Sequence, residues 1–485
     1  MKKILYLTLT FSYSLFAQNS DIKRTYHWNF GINASIDFSS GNAIAGINSA
    51  MQAYEGCASI SDTCGNLLFY TDGDTVWNKN NQPMPNGTGL IGGYSTTQFF
   101  IVPQPQNDSI YYIFTPDQWE NNGANGLRYS IVNINLNGGL GAVTSMNNLL
   151  FAPCSEKLAA TYHTNGIDVW IVARKYGSND FYSYLLTSSG LSAPVITSIG
   201  PVFINGDLGY MRLSPNGNKI ACAWADSEYT NQTDTLDLFD FNKNSGIISN
   251  RIFIPVDSFY NVYGTEFSPD NSKLYVGAVK INPPGMTGRI YQYDISSNSQ
   301  VIIPTTIQTI GSRDSVYIGA LGITPLNQIY ITKVGLFINP SSTRDTLSVI
   351  NFPNLSGTSC GFVENGVYLN GKKAMYGLPN FQADYLSGNW MPSCPSGLTE
   401  TNSKGEDLYF YPNPFSKATE LYIQKDLNEK NISIIIFDAL GNSVFNKEYF
   451  YYSPISIFLN LKSGIYFAQI TVDSKTTVKK IIVTN

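Results

Sequence analysis

Five charged residues hold the places best suited to chemistry in this sequence: Glu55, Glu156, Asp207, Arg212 and Glu266. Each stands at or near the start of a short alternating apolar run. Two carboxylates on one site can cleave a glycosidic bond, one as acid and the other as base or nucleophile. Arg212 and Glu266 each lie two residues before a Ser-Pro pair, so they occupy equivalent places and are expected to form a charge pair. The plainer role for all five is to hydrogen-bond the beginnings of strands. Histidine is confined to His27 and His163. His163 falls in a predicted turn and His27 sits beside Trp28 in a strand-like run, which leaves nothing for a Ser-His-Asp or Cys-His site. The loop Thr71–Asn81 carries Asp72, Asp74, Asn78 and Asn80, oxygen ligands at alternate positions as calcium prefers. It lacks the distal bidentate Glu of an EF-hand, so it reads as a polar turn. No metal site and no cofactor are predicted.

The elements that must position these residues repeat along the chain. LSPNGNKIACA (Leu213–Ala223) and FSPDNSKLYVGA (Phe267–Ala278) are two copies of one hairpin, with Ser214 and Ser268 54 residues apart. Pro269 suits the first central position of a type I turn, and Asp270 and Asn271 supply turn side chains. Similar hairpins span 57–71, 100–115, 160–174 and 321–333. Their second strands start at Leu67, Ile110, Val169, Ile220, Leu274 and Ile329. Two more strand-like runs follow each hairpin, as in Thr235–Pro255 and Arg289–Ile307. Four strands in roughly 40–60 residues is the footprint of a propeller blade. The predicted fold is therefore all-β, a β-propeller followed by a small antiparallel β-sandwich. Six units leave fragments at the ends, Tyr26–Phe38 and Ala374–Leu386. Joined in one sheet they would make a seventh blade and remove an open edge. Six blades with flanking strands is the alternative.

Composition agrees. Charged and aromatic residues each make up 13% of the 485, with 41 glycines and 32 tyrosines, which suits strands and tight turns over helices. A net charge of −5 without a basic stripe argues against a nucleic-acid partner. Residues 1–17 have two lysines, a short apolar run and Ala17, the pattern of a cleaved secretory signal. No later segment has the length of a transmembrane helix. An oxidising destination permits disulfides among Cys57, Cys64, Cys154, Cys222, Cys360 and Cys394. None forms a CxxC pair. Cys57 and Cys64 are expected to be too far apart along one hairpin to bridge. Cys360 and Cys394 are the expected pair, and Cys222 is expected to be a buried thiol.

The propeller is assigned to residues 18–389, a Pro/Gly/Ser-rich linker to 390–404, and a separate unit to 405–485. That last unit contains YPNPF, FDALGNSVF, an LxSGIYF run and a Lys-rich final strand. It resembles the C-terminal sorting domain of the type IX secretion system. The motif residues are Tyr411, Pro412, Asn413, Pro414, Gly441, Gly464, Tyr466, Lys479 and Lys480. The resemblance implies a type IX secretion machinery partner, passage across the outer membrane, and a secreted or cell-surface product. Glu55–Leu90, Trp28–Phe38 and Gly377–Gln382 resemble segments of large exported proteins that carry the same sorting domain, a family with no established activity. The functional expectation is a binding or adhesion module for a polysaccharide or surface protein. The alternative is an extracellular carbohydrate-active lyase or hydrolase working through the carboxylates named above.

Overall fold

The Ser-Pro turns are the repeating unit of the fold. A computed structural model describes residues 20–391 and 408–484, apart from 47–48, 94, 203–207, 226–234, 257–260, 283–284, 336–343, 424–430, 439–440, 451–453 and 473–474. The expected signal segment, Asp207 and Cys394 lie outside the described residues. At the turn in the fifth hairpin, the Ser268 N–H donates to the Lys273 carbonyl at 2.9 Å, and the Lys273 N–H donates back to Ser268 Oγ at 2.8 Å. Asp270 Oδ1 takes the Ser272 N–H, and Asn271 adopts a positive φ of 64° that asparagine tolerates. Lys273 then pairs with Asp294 at 2.8 Å. The fourth hairpin repeats the arrangement, with Lys219 N–H on Ser214 Oγ and Lys219 paired to Asp240. The turn therefore fixes its own hairpin and ties it to the third strand.

Each hairpin opens an antiparallel sheet. The first strands of six sheets are Ala58–Ser61, Phe100–Pro103, Cys154–Tyr162, Met211–Leu213, Asn261–Phe267 and Val316–Ile323. Their second strands are Leu67–Thr71, Ile110–Thr115, Val169–Lys175, Lys219–Trp224, Lys273–Asn282 and Ile329–Gly335. Five of these sheets have four strands and the third has five. A further sheet of three strands, His27–Phe30, Ala34–Asp37 and Ile44–Gly46, precedes them. First strands of successive sheets pack side by side. This is a β-propeller. Apolar residues interleave between neighbouring sheets. Leu236, Ile252, Leu274 and Val276 belong to one such core, and Val172, Ile220 and Phe239 to another.

The ends of the propeller meet, but not in a shared ladder. Among the described residues the early sheet contains no strand from the late chain, and residues 374–386 form no strand. Ile32 and Lys373 make a single antiparallel bridge, and Cys57 and Pro379 a single parallel one. Pro379 has no N–H to continue pairing. Packing makes the closure instead. Trp28, Phe30, Ile36 and Phe38 share one core with Ala374, Leu378 and Phe381. The Trp28 ring lies 6.1 Å from Phe381 and 5.9 Å from Tyr330 of the last sheet. Trp390 and Met391, assigned from sequence to the linker, also belong here. Trp390 Nε1 donates to the Phe38 carbonyl at 2.9 Å and the Met391 N–H donates to Tyr26 Oη at 3.0 Å.

Cysteine usage differs from expectation in one respect. Cys360 is a buried free thiol, so the expected Cys360–Cys394 bridge is not made, whereas Cys64 is disulfide-bonded. Cys360 ends the short helix Gly357–Cys360 that precedes the strand Phe362–Tyr368, and it shares a core with Ile350 and Leu386. Cys57 is also a buried free thiol, so it is not joined to Cys64, and Cys222 is buried in an inner hairpin as predicted.

The described residues of the second unit form seven strands in two antiparallel sheets. Leu421, Ile432, Ile434, Ile436, Ile455, Ile470 and Ile481 fill its core. The YPNP motif works here as a clamp. Asn413 Nδ2 donates to the Lys480 carbonyl at 2.9 Å, and its Oδ1 accepts the Ile482 N–H at 2.8 Å. The Pro412 carbonyl accepts Thr419 Oγ1. Gly441, at φ 82°, closes the turn on Asp438, and Tyr466 Oη donates to the Lys462 carbonyl. Lys479 and Lys480 lie in the last strand, opposite Ala468 and Phe467. Among the described residues no helix is long and apolar enough to cross a membrane.

Candidate functional site

First strands run the same way past the propeller axis, so the residues just before them gather at one end. This entry end brings together Glu55 and Thr97, just before their strands, with Glu156 and Tyr263, each the third residue of its strand. The Ser-Pro turns gather at the opposite, exit end. The late segment runs between the two. Near the entry end the Tyr376 N–H donates to the Tyr54 carbonyl at 2.9 Å, and the Ala320 N–H donates to the Tyr376 carbonyl at 2.7 Å. Gly377 passes so close to Glu55 that a Cβ there would meet the Glu55 carbonyl at 1.6 Å, which only glycine avoids. Farther along, the Asn380 N–H donates to the Cys57 carbonyl. At the exit end Asp384 accepts the Thr161 hydroxyl, the Tyr162 N–H at 2.6 Å and the Lys243 ammonium at 2.6 Å. The chain thus closes the exit end over the axis.

Three of the four described candidates are spoken for by the fold. Glu156 is 1% exposed. Its two oxygens accept the N–H groups of Thr97 at 3.0 Å and Trp119 at 2.9 Å, holding a loop and the next strand start in place. Burial and the nearby Glu55 carboxyl push its proton affinity well up. Arg212 and Glu266 do pair, Nε to Oε2 at 3.5 Å, and both are buried. Arg212 also donates to Asn380 Oδ1 at 2.5 Å and to the Leu321 carbonyl at 3.0 Å, and its guanidinium lies over the Tyr210 ring. Burial raises Glu266 to about 7 against the pull of Arg212. This pair lines a small axial cavity with Phe100, Ala159, Met211 and Phe381. It locks the late segment to the inner strands across the axis.

Glu55 differs. It is only part-exposed at the entry mouth, with its carboxyl deep among neighbouring groups. Tyr263 Oη donates to its Oε2 at 2.9 Å. Burial, reinforced by the charge of Glu120, pushes its pKa up to about 8. Around it stand tyrosines that sequence reading did not single out. Tyr210 meets Tyr263 edge-to-face at 5.6 Å, Tyr263 meets Tyr317 at 5.6 Å, and Tyr317 meets Tyr376 at 5.3 Å and 80°. Glu120, exposed and accepting Ser95 Oγ at 2.5 Å, was also missed. It follows Trp119 in a stretch that carries no strand pattern, so nothing local marked it.

The remaining candidates resolve into turns. Asp72 Oδ1 accepts the Asp74 and Thr75 N–H groups, and Asn78 Oδ1 accepts those of Asn80 and Gln82. Two of the four residues weighed as calcium ligands thus hold their own backbone. His163 lies part-exposed in its turn, with Nδ1 accepting the Asn165 N–H.

Fold and motif together define an exported β-propeller that carries its own sorting signal. Residues 409–484 match the family described as the secretion system C-terminal sorting domain. The chain is therefore a type IX secretion cargo, delivered to the cell surface or secreted. No curated protein matches the chain. Solved structures are similar to it at low sequence identity. A periplasmic gluconolactonase of Pseudomonas aeruginosa shares 10% identity, with 80% of this chain and 96% of that one covered and a TM-score of 0.34. The Dos1 propeller shares 10% identity over 66% and 71%, with a TM-score of 0.40. An exo-beta-1,3-galactanase from Phanerochaete chrysosporium shares 11% over 83% and 97%, with a TM-score of 0.34. Likeness at this level says nothing about chemistry.

Proposed function

We propose that this protein is a secreted or surface-borne binding module whose ligand seat is the entry mouth around Glu55, and that the ligand is a polysaccharide. The observation that carries the reading is the contrast among the candidate carboxylates. Glu156 and Glu266 are buried with their oxygens committed to backbone or to Arg212. Glu55 alone among the described candidates reaches the mouth, and it does so beside part-exposed Tyr317 and Tyr376 and the exposed Tyr54. Aromatic faces with a few convergent polar groups are the usual furnishing of a sugar-binding site. A glycan array probed with the mature protein tests this. Binding that is weakened at least tenfold by Tyr376→Ala supports the mouth as the seat. Binding unaffected by that change, or no binding to any glycan, sinks the reading.

One observation favours an enzyme as the second reading. Burial raises Glu55 to about 8, and a carboxyl pushed up in this way can serve as a general acid. Release of new reducing ends or unsaturated products from a bound glycan, abolished in Glu55→Gln, would replace binding by catalysis.

A further inference from the structure

We propose that the entry mouth recognises an amino sugar through its primary ammonium group, seated between the Glu55 carboxylate and the rings of Tyr317 and Tyr376. The inference rests on the polysaccharide-binding reading above and names the chemical class. Tyr317 and Tyr376 stand at 80° with centroids 5.3 Å apart, two walls of an aromatic corner. Tyr263 backs that corner, 5.6 Å from Tyr317 and 6.4 Å from Tyr376, and its hydroxyl fixes Glu55. Tyrosine faces are electron-rich and attract cations, most strongly where water is partly excluded. A carboxylate at the same corner adds a charge-assisted hydrogen bond.

The charges around Glu55 leave this seat short of a cation. Tyr263 and Glu156 face it from two inner strands, Tyr210 from just before a third, and Glu120 from the short helix at 119–121. Lys157, next to Glu156, points its ammonium at the carbonyls of Leu208 and Gly209, 2.9 and 2.7 Å away, and over the Trp224 ring. Among the described residues Glu55 makes no ion pair. An uncharged sugar would leave its proton in place. An ammonium would favour the ionised form, so binding below pH 8 should expel a proton into solution.

The test is calorimetry of the mature protein at pH 5.5, where the sugar amine is already charged, with three tetrasaccharides: fully deacetylated glucosamine, its N-acetylated counterpart, and cellotetraose. The deacetylated sugar should bind at least tenfold tighter than the other two. Its binding heat should differ between succinate and MES buffers, because a proton is released. Its advantage should shrink in 0.5 M salt and vanish in Glu55→Gln. Equal or tighter binding of the acetylated or neutral sugar overturns the ammonium claim while leaving the binding module standing. A tenfold preference that survives in a folded Glu55→Gln also overturns it. Should that variant not fold, the buffer and salt arms on the wild type decide. Binding of none of the three, with a blank glycan array, removes both claims together.

Discussion

The buried Arg212–Glu266 pair makes a quantitative prediction about pH. Glu266 is 4% exposed and burial lifts its pKa from 4.5 to about 7. A raised carboxyl favours the folded state while it keeps its proton. That contribution is fully present below pH 4.5, fades as the unfolded chain ionises, and is lost once pH passes about 7. At ~1.4 kcal/mol for each tenfold change in acidity, the span is worth roughly 3 kcal/mol. Glu266→Gln keeps the neutral shape and the acceptor oxygen facing Arg212, but cannot ionise. The variant and the wild type should therefore be about equally stable at pH 4.5. By pH 8 the variant should be more stable by roughly 3 kcal/mol. Other groups, Glu55 and Glu156 among them, titrate in both proteins and cancel in the difference. Denaturant unfolding of the propeller, followed by tryptophan fluorescence at pH 4.5, 6, 7 and 8, gives the difference curve directly. A flat curve, or a Gln variant that is less stable at pH 8, would refute the reasoning. It would mean that the attraction of Arg212 outweighs the cost of burying the charge.

Trp28→Ala removes a fully buried ring that touches the early sheet, the last sheet and the late segment. It should cost about 3–5 kcal/mol and speed hydrogen exchange in 27–37 and 373–386 together; acceleration in the first alone would mean the ends do not share a core. Asn413→Ala breaks both hydrogen bonds of the clamp on the last strand of the sorting unit and should destabilise that unit by roughly 2 kcal/mol, seen as a lower unfolding midpoint with the propeller transition unmoved. Deletion of 408–485 should hold the protein in the periplasm with its propeller folded; normal delivery of that truncation would show that the signal lies elsewhere.

Much of the propeller was readable because its signals are local. The Ser-Pro turns at 214 and 268 and the alternation after them place each second strand within one residue of its observed start, Lys219 and Lys273 against Ile220 and Leu274. Sorting-domain landmarks were readable for the same reason. The closure was half readable. The apolar residues from Trp28 to Phe38 announced a buried element, but GLPNFQ has no alternation, and its place depends on a glycine squeezed against Glu55 and a proline without a donor. The candidate site was least legible. Arg212 and Glu266 could be paired from their equivalent places in two repeats. The tyrosines at 210, 263, 317 and 376 come from four distant stretches, and each alone looks like blade core. The Cys360 bridge was misjudged because sequence position carries no information on which thiols face apolar surroundings.

The late segment also imposes an order of events. A chain is made from its N-terminus, so residues 373–391, which seal the exit end and complete the first core, are the last described part of the propeller to emerge. Until they arrive, Arg212 lacks its Asn380 partner, and Trp28 lacks its contacts to Leu378 and Phe381. The sorting unit begins only after them, at Leu408. Any prematurely ended chain that lacks the latch therefore lacks the export signal as well. Placing the two in this order acts as a proofreading rule: whatever can be handed to the secretion machinery already contains every residue needed to shut its own ring.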